Sequence, residues 1–283
     1  MAKTALALGT FDGVHSGHIS VINAAVSSGY RAVAVAFPEP PRTFFNGQTE
    51  LLTTPHEKQK ILFGLGVENV HFLDFEKIKD MPPEEFLLYL KNTFNPAFIS
   101  CGFNHRFGSG GKGDTALLRD FCDKNNIKLS VAEAVTVGDK ILSSTYIRSL
   151  LGGGEISTAN RYLARPFGFS GEVVHGDSRG RTIGFPTINQ FYPKTKAPVR
   201  FGVYKSLVTV DGKTYNGITN VGIRPSFKTD AVMAETYILD FSGDIYGTVV
   251  DLRLIEFIRD EQKFSNTADL KKAIENDINN AKY

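Results

Sequence analysis

Two histidines three residues apart, His15 and His18, are the first side chains whose type and spacing could do chemistry. They lie in the stretch GTFDGVHSGH, residues 9–18, between an apolar run and a segment with helical spacing. Gly9 and Gly13 would let the backbone approach a ligand, and the helix that follows directs N–H groups and its positive dipole end into the same space. Phosphate is the natural ligand of such a turn, and it would raise the pKa of the imidazoles.

A second cluster, ILSSTYIR at residues 141–148, places hydroxyls at a predicted helix start and Arg148 one turn later. This combination suits a triphosphate, although a Ser-Ser-Thr run by itself is more often only a helix cap. The alternative interpretation of residues 9–18 is a glycine turn with two surface histidines and no bound ligand. A zinc pair is less favoured, since no third ligand cluster is visible in the sequence.

The densest polar region is GEVVHGDSRGRTIGFPTIN, residues 171–189, which holds four glycines and two arginines. Its glycines could present N–H groups to phosphate. Alternation along a strand puts Thr187 and Asn189 on one face, and both are oxygen ligands suited to Mg2+. The alternative is a glycine-rich hairpin with a solvated polar edge.

Elements that could position the first two clusters alternate between strand and helix. This alternation predicts crossover units and an open, doubly wound parallel sheet covered on both faces, an α/β domain. Such sheets bind ligands beyond the carboxyl ends of their strands. The predicted strands are 4–8, 31–37, 67–73, 97–101 and 128–133, and the predicted helices are 16–28, 55–65, 83–92 and 114–125.

From about residue 165, short alternating runs separated by turn residues predict an antiparallel β-barrel, with a hairpin at Asp211-Gly212. The tail 267–281 has helical spacing and is expected to pack on the barrel. The runs are 171–174, 202–210, 215–221, 235–241 and 248–257. A short helix at 156–163 leads into them, so the domain boundary is expected between 152 and 166, with domains at 1–155 and 160–283.

Composition excludes several classes of protein. The net charge of +2 over 283 residues offers no strong footprint for nucleic acid, and no apolar run approaches the length of a membrane helix. Cys101 and Cys122 are the only cysteines, so no disulfide framework is expected and the cytoplasm is the expected location. Small-molecule substrates are the expected partners; oligomerisation is possible but nothing in the sequence predicts it.

Two other glycine-rich stretches compete as phosphate sites. Residues 108–113 match G-x-G-x-x-G, and Glu133 follows about 20 residues later, as a dinucleotide-binding fingerprint asks. The match lies after the fourth strand and without a tight turn, so a substrate loop is favoured. Gly212-Lys213-Thr214 resembles the end of a P-loop, but Leu207 stands where that motif needs glycine.

Known motifs match these clusters in order along the chain. Residues 9–18 resemble the His-x-Gly-His signature of the nucleotidyltransferase superfamily, and residues 143–148 resemble its Ser-Ser-Thr-x-Ile-Arg motif. GFPTIN at 184–189 resembles the Gly-Phe-Pro-Thr-Ala-Asn hallmark of riboflavin kinase domains, with Ile188 in place of alanine. Further matches lie at 202–204, 220–227, 235–241, 246–247 and 257–264. The whole chain therefore resembles the bacterial bifunctional riboflavin kinase/FAD synthetase family.

This resemblance implies site residues in both domains. It implies His15 and His18 as catalytic in the first domain and Glu235 as the base for the ribityl hydroxyl in the second. The implied ATP contacts of the first domain are Gly9, Phe11, Gly13, His15, Gly17, His18, Ser144, Thr145 and Arg148. Its implied flavin contacts are Pro38, Pro40, Asn104 and Phe107. The implied ATP and flavin contacts of the kinase domain are Gly171, Gly176, Gly180, Arg181, Thr187, Asn189, Asn220 and Arg259, with Thr187 and Asn189 as metal ligands.

The implied function is flavin cofactor synthesis. Riboflavin and ATP would give FMN and ADP in the second domain, and FMN and ATP would give FAD and pyrophosphate in the first, both with a divalent metal, Mg2+. Asn104-His105 stand where many relatives carry Asp-Phe, which leaves individual flavin contacts open. The competing classes are an oxidoreductase that uses residues 108–113 and a non-catalytic flavin carrier, which a turnover assay with ATP would separate.

Overall fold

The computed structural model describes residues 2–47, 50–176, 180, 183–224 and 231–281. The chain divides into two compact units, residues 1–146 and 147–283. The division falls within helix α7 (Ser144–Gly153). None of the helices formed by the described residues combines the length and the hydropathy that a membrane-spanning segment needs.

Five short apolar runs of the first unit form a parallel sheet. The strands are β1 (Thr4–Leu8), β2 (Arg31–Ala36), β3 (Asn69–Phe72), β4 (Pro96–Gly102) and β5 (Lys128–Ala132). Their order is β3-β2-β1-β4-β5, and every neighbouring pair is parallel. All five residues of the central strand β1 are buried, as expected where helices cover both faces. The predicted doubly wound sheet is confirmed, with strand ends shifted by one or two residues at most places.

Helices connect these strands, and local signals begin several of them. The helices are α1 (Ser16–Val26), α2 (Arg42–Asn46), α3 (Pro55–Gly64), α4 (Phe75–Ile78), α5 (Pro83–Phe94) and α6 (Thr115–Lys124). Thr54 and Glu57 form a reciprocal capping box at α3, and the Asp114 carboxylate caps α6. The sequence did not predict α2 and α4, because four or five residues are too few to show a helical period.

Alternation along β1 builds a core on each face of the sheet. Leu6 and Leu8 pack in a cluster that includes Leu87 of α5 and Leu118 of α6, whereas Ala5 and Ala7 pack with residues of α1. Because all strands run the same way, the loops after β1, β2 and β4 lie at one edge of the sheet. The predicted phosphate-binding turn of residues 9–18 follows β1 and so lies at this edge. A short hairpin, β6 (Thr136–Val137) and β7 (Lys140–Ile141), then leads into α7.

The second unit is a six-stranded antiparallel barrel. Its strands are β8 (Phe167–Glu172), β9 (Thr187–Phe191), β10 (Gly202–Val210), β11 (Lys213–Arg224), β12 (Ala231–Ile238) and β13 (Val249–Arg259). They follow the order β8-β13-β10-β11-β12-β9. The two edges meet where Val174 N–H donates to Asn189 O at 2.8 Å and Gln190 Nε2 donates to Gly171 O at 2.8 Å. This confirms the predicted barrel.

Two helices pack on the barrel, α8 (Ile156–Leu163) and α9 (Thr267–Ala281). Asn160 of α8 donates to Leu254 O at 2.8 Å and accepts from Phe167 N at 2.7 Å. Arg259 at the end of β13 forms an ion pair with Asp277 of α9, 2.7 Å between Nη2 and Oδ2. These contacts group α8 with the barrel, whereas the predicted limits of independently folding domains stay a prediction.

In the barrel, one predicted hairpin is confirmed and two predicted strand ends are wrong. The Asp211-Gly212 hairpin is confirmed, with positive φ of 47° and 78°. Strand β8 begins at Phe167, four residues before the predicted run, because Phe167, Gly168 and Phe169 pair with β13. Strand β12 ends at Ile238 instead of 241, since the chain turns at Asp240 with a φ of 54°.

Candidate active sites

The turn between β1 and α1 has an unusual backbone. Phe11, Gly13 and Val14 all have positive φ, at 49°, 83° and 41°. Phe11 and Val14 are fully buried, so their packing compensates the strain of a conformation that side chains rarely adopt. A Cβ on Gly9 would lie 2.8 Å from the Phe11 ring, which explains the glycine that begins this turn.

Buried hydrogen bonds hold the turn against two distant segments. The Asp12 carboxylate accepts from the N–H groups of Leu52 at 3.0 Å and Thr53 at 3.3 Å, and Gly13 N–H donates to Thr53 Oγ1 at 3.1 Å. Ser144 Oγ donates to Asp12 O at 2.9 Å. The first and second motif of the sequence, 132 residues apart, therefore meet at this point.

His15 and His18 lie side by side at the start of α1. Their rings stack with centroids 3.7 Å apart, and the edge of His18 contacts Phe11. Burial first, then the neighbouring His15 and Lys58, hold the pKa of His18 well below its usual value, so the ring is neutral at pH 7. His18 Nδ1 is buried and has no hydrogen-bond partner among the described residues. An anion placed here would supply one and would raise this pKa.

The start of α1 itself suits an anion. His15 occupies the N-cap without a capping side-chain hydrogen bond, and the first turn contains no acidic residue. The positive end of the helix dipole is therefore not neutralised by the helix's own side chains. Gly17 follows His15 closely, with a Cβ position only 3.2 Å from the His15 ring. The chemistry of the two histidines and of the helix end is suited to an anion such as phosphate, and the predicted phosphate site stays a prediction.

Hydroxyls of the second motif are already engaged at the start of α7. Ser143 Oγ accepts from Tyr146 N at 3.2 Å and so caps the helix, while Ser144 anchors the β1–α1 turn. Thr145 Oγ1 accepts from Arg42 Nη1 at 3.4 Å. Arg148 lies one turn further along α7, beyond the division between the units. Its predicted role as an ATP contact stays a prediction.

The second unit brings Thr187, Asn189, Asn220 and Glu235 to one face of neighbouring strands. In the strand register Glu235 of β12 is opposite Asn189 of β9 and opposite Asn220 of β11. Thr187 Oγ1 donates to Glu235 Oε1 at 2.9 Å. Gln190 points the other way, into the barrel, where it bonds backbone carbonyls. The predicted pairing of Thr187 and Asn189 on one face is confirmed, and Glu235 joins them.

Glycines of the loop before β9 pack directly on these polar side chains. A Cβ on Gly176 would lie 2.4 Å from Asn189 Nδ2, and one on Gly180 would lie 2.3 Å from Phe185 O and 3.3 Å from Thr187 Oγ1. Only glycine allows such close approach of backbone. A Cβ on Gly171 would make only ordinary contacts, at 3.5 Å from Gln190 and from Phe169. Arg181 and residues 225–227 of the matched motifs lie outside the described residues.

Comparison with known proteins matches each part of the chain to a family. A family model described as FAD synthetase matches residues 1–146, and one described as riboflavin kinase matches residues 163–283. The bifunctional riboflavin kinase/FMN adenylyltransferase of Bacillus subtilis is 32% identical over 287 residues, covering 98% of this chain and 90% of that protein. The enzyme of the same name from Listeria monocytogenes is 32% identical over 281 residues, covering 96% and 89%.

The chain belongs to the bifunctional riboflavin kinase/FMN adenylyltransferase family. It is a transferase that converts riboflavin to FMN and FMN to FAD. A crystal structure described as a macrolide-efflux protein from Streptococcus pneumoniae has the same fold, with a TM-score of 0.91 and 28% identity, covering 98% of this chain and 93% of that one.

Flavin contacts predicted for the adenylyltransferase lie on the loops after β2 and β4. Pro38 and Pro40 follow β2, and Pro40 is buried. Asn104 is exposed, whereas the Phe107 ring is 5% exposed and packs against Phe86 and His105. Phe107 therefore contributes to the core, and its predicted contact with flavin stays a prediction. Burial lowers the pKa of His105 to about 4, so this imidazole is neutral at pH 7.

Residues 108–113 do not form the tight turn of a dinucleotide-binding fingerprint. Phe107 and Gly113 are paired by a β-bridge, with donor–acceptor distances of 3.2 Å and 2.9 Å, so the glycines form the tip of a small hairpin. Helix α6 begins after it, at Thr115. This geometry agrees with the favoured interpretation as a loop and gives no support to the oxidoreductase alternative.

In the riboflavin kinase domain, two predicted ligand contacts have protein partners. Asn220 Nδ2 donates to Glu261 Oε1 at 2.9 Å. The Arg259 guanidinium donates to Asp277 Oδ1 at 3.0 Å and Oδ2 at 2.7 Å, and stacks at 5.8 Å from the Phe264 ring. Arg259 thus ties α9 to the barrel in this structure. Whether it also contacts substrate stays a prediction.

Sequence reasoning missed Lys58 in the adenylyltransferase domain. Its ammonium group is buried between the loops after β1 and β2. A signal was present: Lys58 shares a helical stripe with Ile61, Leu62 and Leu65, where a lysine breaks an otherwise apolar face. A lysine at such a position either extends its amine to solvent or is held by buried acceptors.

Proposed function

We propose that the two reactions of this enzyme are divided between its units. Riboflavin is phosphorylated at the face formed by Thr187, Asn189 and Glu235, and FMN is adenylylated at the β1–α1 turn. The observation that carries the first assignment is the hydrogen bond from Thr187 Oγ1 to Glu235 Oε1, which joins a predicted metal ligand to the predicted base. The stacked His15 and His18 rings at the start of α1, whose first turn contains no acidic residue, support the second.

In the kinase reaction, Glu235 accepts the proton of the ribityl hydroxyl as that oxygen attacks the γ-phosphorus of ATP. ADP leaves, and the carboxylate is held in place by the Thr187 hydroxyl. Because Thr187 gives its only proton to Glu235, its oxygen lone pairs remain as acceptors for a cation. The Asn189 amide oxygen is a second hard donor nearby. These donors fit Mg2+, which when bound with ATP shields the phosphate charge.

In the adenylyltransferase reaction, the phosphate of FMN attacks the α-phosphorus of ATP and pyrophosphate leaves. His15 and His18 hold the phosphates of ATP at the start of α1, where the helix dipole also favours negative charge. The low pKa of His18 in the free chain means that the ring binds phosphate first as a neutral donor. Bound phosphate then raises that pKa and favours the charged ring as charge builds on the leaving pyrophosphate.

The test is a pair of substitutions that interrupt opposite reactions. The full chain is incubated with ATP and Mg2+ and either riboflavin or FMN, and the products are separated by chromatography. Glu235→Gln should lower FMN formation by ~10²–10⁴-fold and leave FAD formation from supplied FMN intact. His18→Ala should lower FAD formation by ~10²–10³-fold and leave FMN formation intact. Equal loss of both activities in either folded variant contradicts the division.

Cys101 and Cys122 are both buried and unbridged. Burial raises the pKa of the Cys101 thiol to about 11 and that of Cys122 to about 12, so neither is a reactive thiolate. Because both thiols are free, as a reducing compartment would keep them, we propose the cytoplasm as the place where the enzyme acts.

A further inference from the structure

Lys58 is fully buried on the inner face of α3, beside Leu62. Its Nζ donates to the carbonyl oxygens of Thr10 at 2.8 Å, Phe37 at 2.7 Å and Pro38 at 3.2 Å. An ammonium group carries three protons, so each proton of Lys58 has a backbone acceptor. One side chain therefore ties the turn after β1 to the loop after β2.

These carbonyls control the direction of the backbone on both loops. In a trans peptide the C=O and N–H groups point in opposite directions. When Lys58 holds the carbonyls of Thr10 and Pro38, the N–H groups of Phe11 and Glu39 point away from the ammonium. Lys58 thereby orients two backbone donors on the segments that carry the histidine motif and the proline loop.

Packing alone does not require a charge at this position. A methionine has a stem of similar length and would fill the same space without the cost of burying an ammonium. Methionine would, however, leave the carbonyl oxygens of Thr10, Phe37 and Pro38 without this donor. The ammonium of Lys58 therefore serves to hold these backbone carbonyls, and with them the two loops, in place.

Several charged and titratable groups face Lys58 from the elements around it. Burial lowers the pKa of Lys58 to about 8, although Asp12 of the β1–α1 turn and Glu39 of the loop after β2 raise it. The charge on Lys58 in turn lowers the pKa of His18 on α1. The Phe72 ring of β3 lies 6.0 Å from Nζ, and Glu57 on the same helix is held by Thr54.

We propose that Lys58 is a positioning residue for adenylyl transfer, and that only its protonated form holds the two loops in the reactive arrangement. A neutral amine has two protons for three carbonyls, and its lone pair would face the third. The loops would then separate at one contact. This role rests on the proposed assignment of adenylyl transfer to the first unit.

Activity and stability should respond to pH in opposite directions. The pKa of Lys58 is about 8 in the fold and 10.5 in an unfolded chain. Between these values the unfolded chain binds more protons, so the contribution of Lys58 to the free energy of unfolding rises with pH. Deprotonation of Lys58 above pH 8 should therefore lower activity without unfolding the chain.

The experiment measures FAD formation from FMN and ATP with Mg2+ from roughly pH 6.5 to 9.5, with FMN formation from riboflavin on the same samples as reference. We expect kcat/KM for FAD formation to fall above about pH 8, by about tenfold per pH unit. The fall in kcat should come at higher pH, because bound phosphates raise the pKa of Lys58. Thermal unfolding followed over the same range checks that the fold persists.

Two substitutions and a matched control decide the source of this fall. Lys58→Arg keeps a charge that does not titrate in this range, so the alkaline fall should disappear even though the absolute rate drops. Lys58→Met should lower the rate by about 10²-fold at every pH. Lys60→Met, at an exposed position of the same helix, should keep the wild-type profile.

An alkaline fall that persists unchanged in Lys58→Arg, or a wild-type profile without one, contradicts the role of Lys58. The wild-type measurement needs no variant to fold, so the proposal stays testable if Lys58→Met is unstable. A wild-type chain that forms no FAD at any pH contradicts the proposed function itself, and with it this role.

Discussion

Replacing Gly176 by alanine tests whether the loop before β9 positions the kinase site. The new Cβ would lie 2.4 Å from Asn189 Nδ2 and 2.7 Å from Asn189 Cγ, whereas ordinary contact begins at 3.4 Å. Loop and side chain must therefore separate by about 1.0 Å. Asn189 is 8% exposed, so it has little room to yield. Overpacking of this kind costs ~1–3 kcal/mol, and a misplacement of about 1 Å can cost ~10²-fold in rate.

We therefore expect Gly176→Ala to lower kcat for FMN formation by about 10²-fold, with FAD formation from supplied FMN unchanged. The assay is chromatography of both products at saturating ATP and Mg2+. Gly152→Ala in α7 is the matched control, because its Cβ meets no atom within 4 Å and alanine favours a helix. Wild-type kcat in Gly176→Ala would refute the close approach of this loop to Asn189.

Three further substitutions or truncations test other contacts. Thr187→Val should lower FMN formation by ~10²-fold, whereas Thr187→Ser should retain most of it, because serine keeps the hydroxyl that donates to Glu235. Equal rates in the two variants would contradict this role of the hydroxyl. A fragment of residues 164–283 lacks α8 and so loses the hydrogen bonds of Asn160 to Leu254 and Phe167. Its free energy of unfolding in urea should be at least about 2 kcal/mol lower than that of residues 147–283, and coincident unfolding transitions would contradict this. Asp277→Ala leaves the partly buried Arg259 guanidinium without its carboxylate and should lower the free energy of unfolding of the barrel by ~1–3 kcal/mol, an effect absent if α9 is dispensable.

Features of the fold that depend on neighbours in sequence were predictable. The helix over 156–163, the strand over 202–210 and the tail helix over 267–281 have the predicted bounds, because periodicity and turn residues within each segment specify them. The Asp211-Gly212 hairpin follows from two residues that tolerate positive φ. Strand β8 was misplaced because Gly168 interrupts its pattern, and only pairing with β13 makes it a strand.

By itself, the sequence determined the residue types at both sites and their order. It placed His15 and His18 in a glycine turn, and Thr187 beside Asn189 on one strand face, since such relations are local. The tertiary structure alone decided the partners: Ser144 with the carbonyl of Asp12, Thr187 with Glu235, Arg259 with Asp277. It also decided that Lys58 is buried beneath two loops. A hydrogen bond between residues far apart in the chain depends on how strands are ordered and paired, which no short window of sequence encodes.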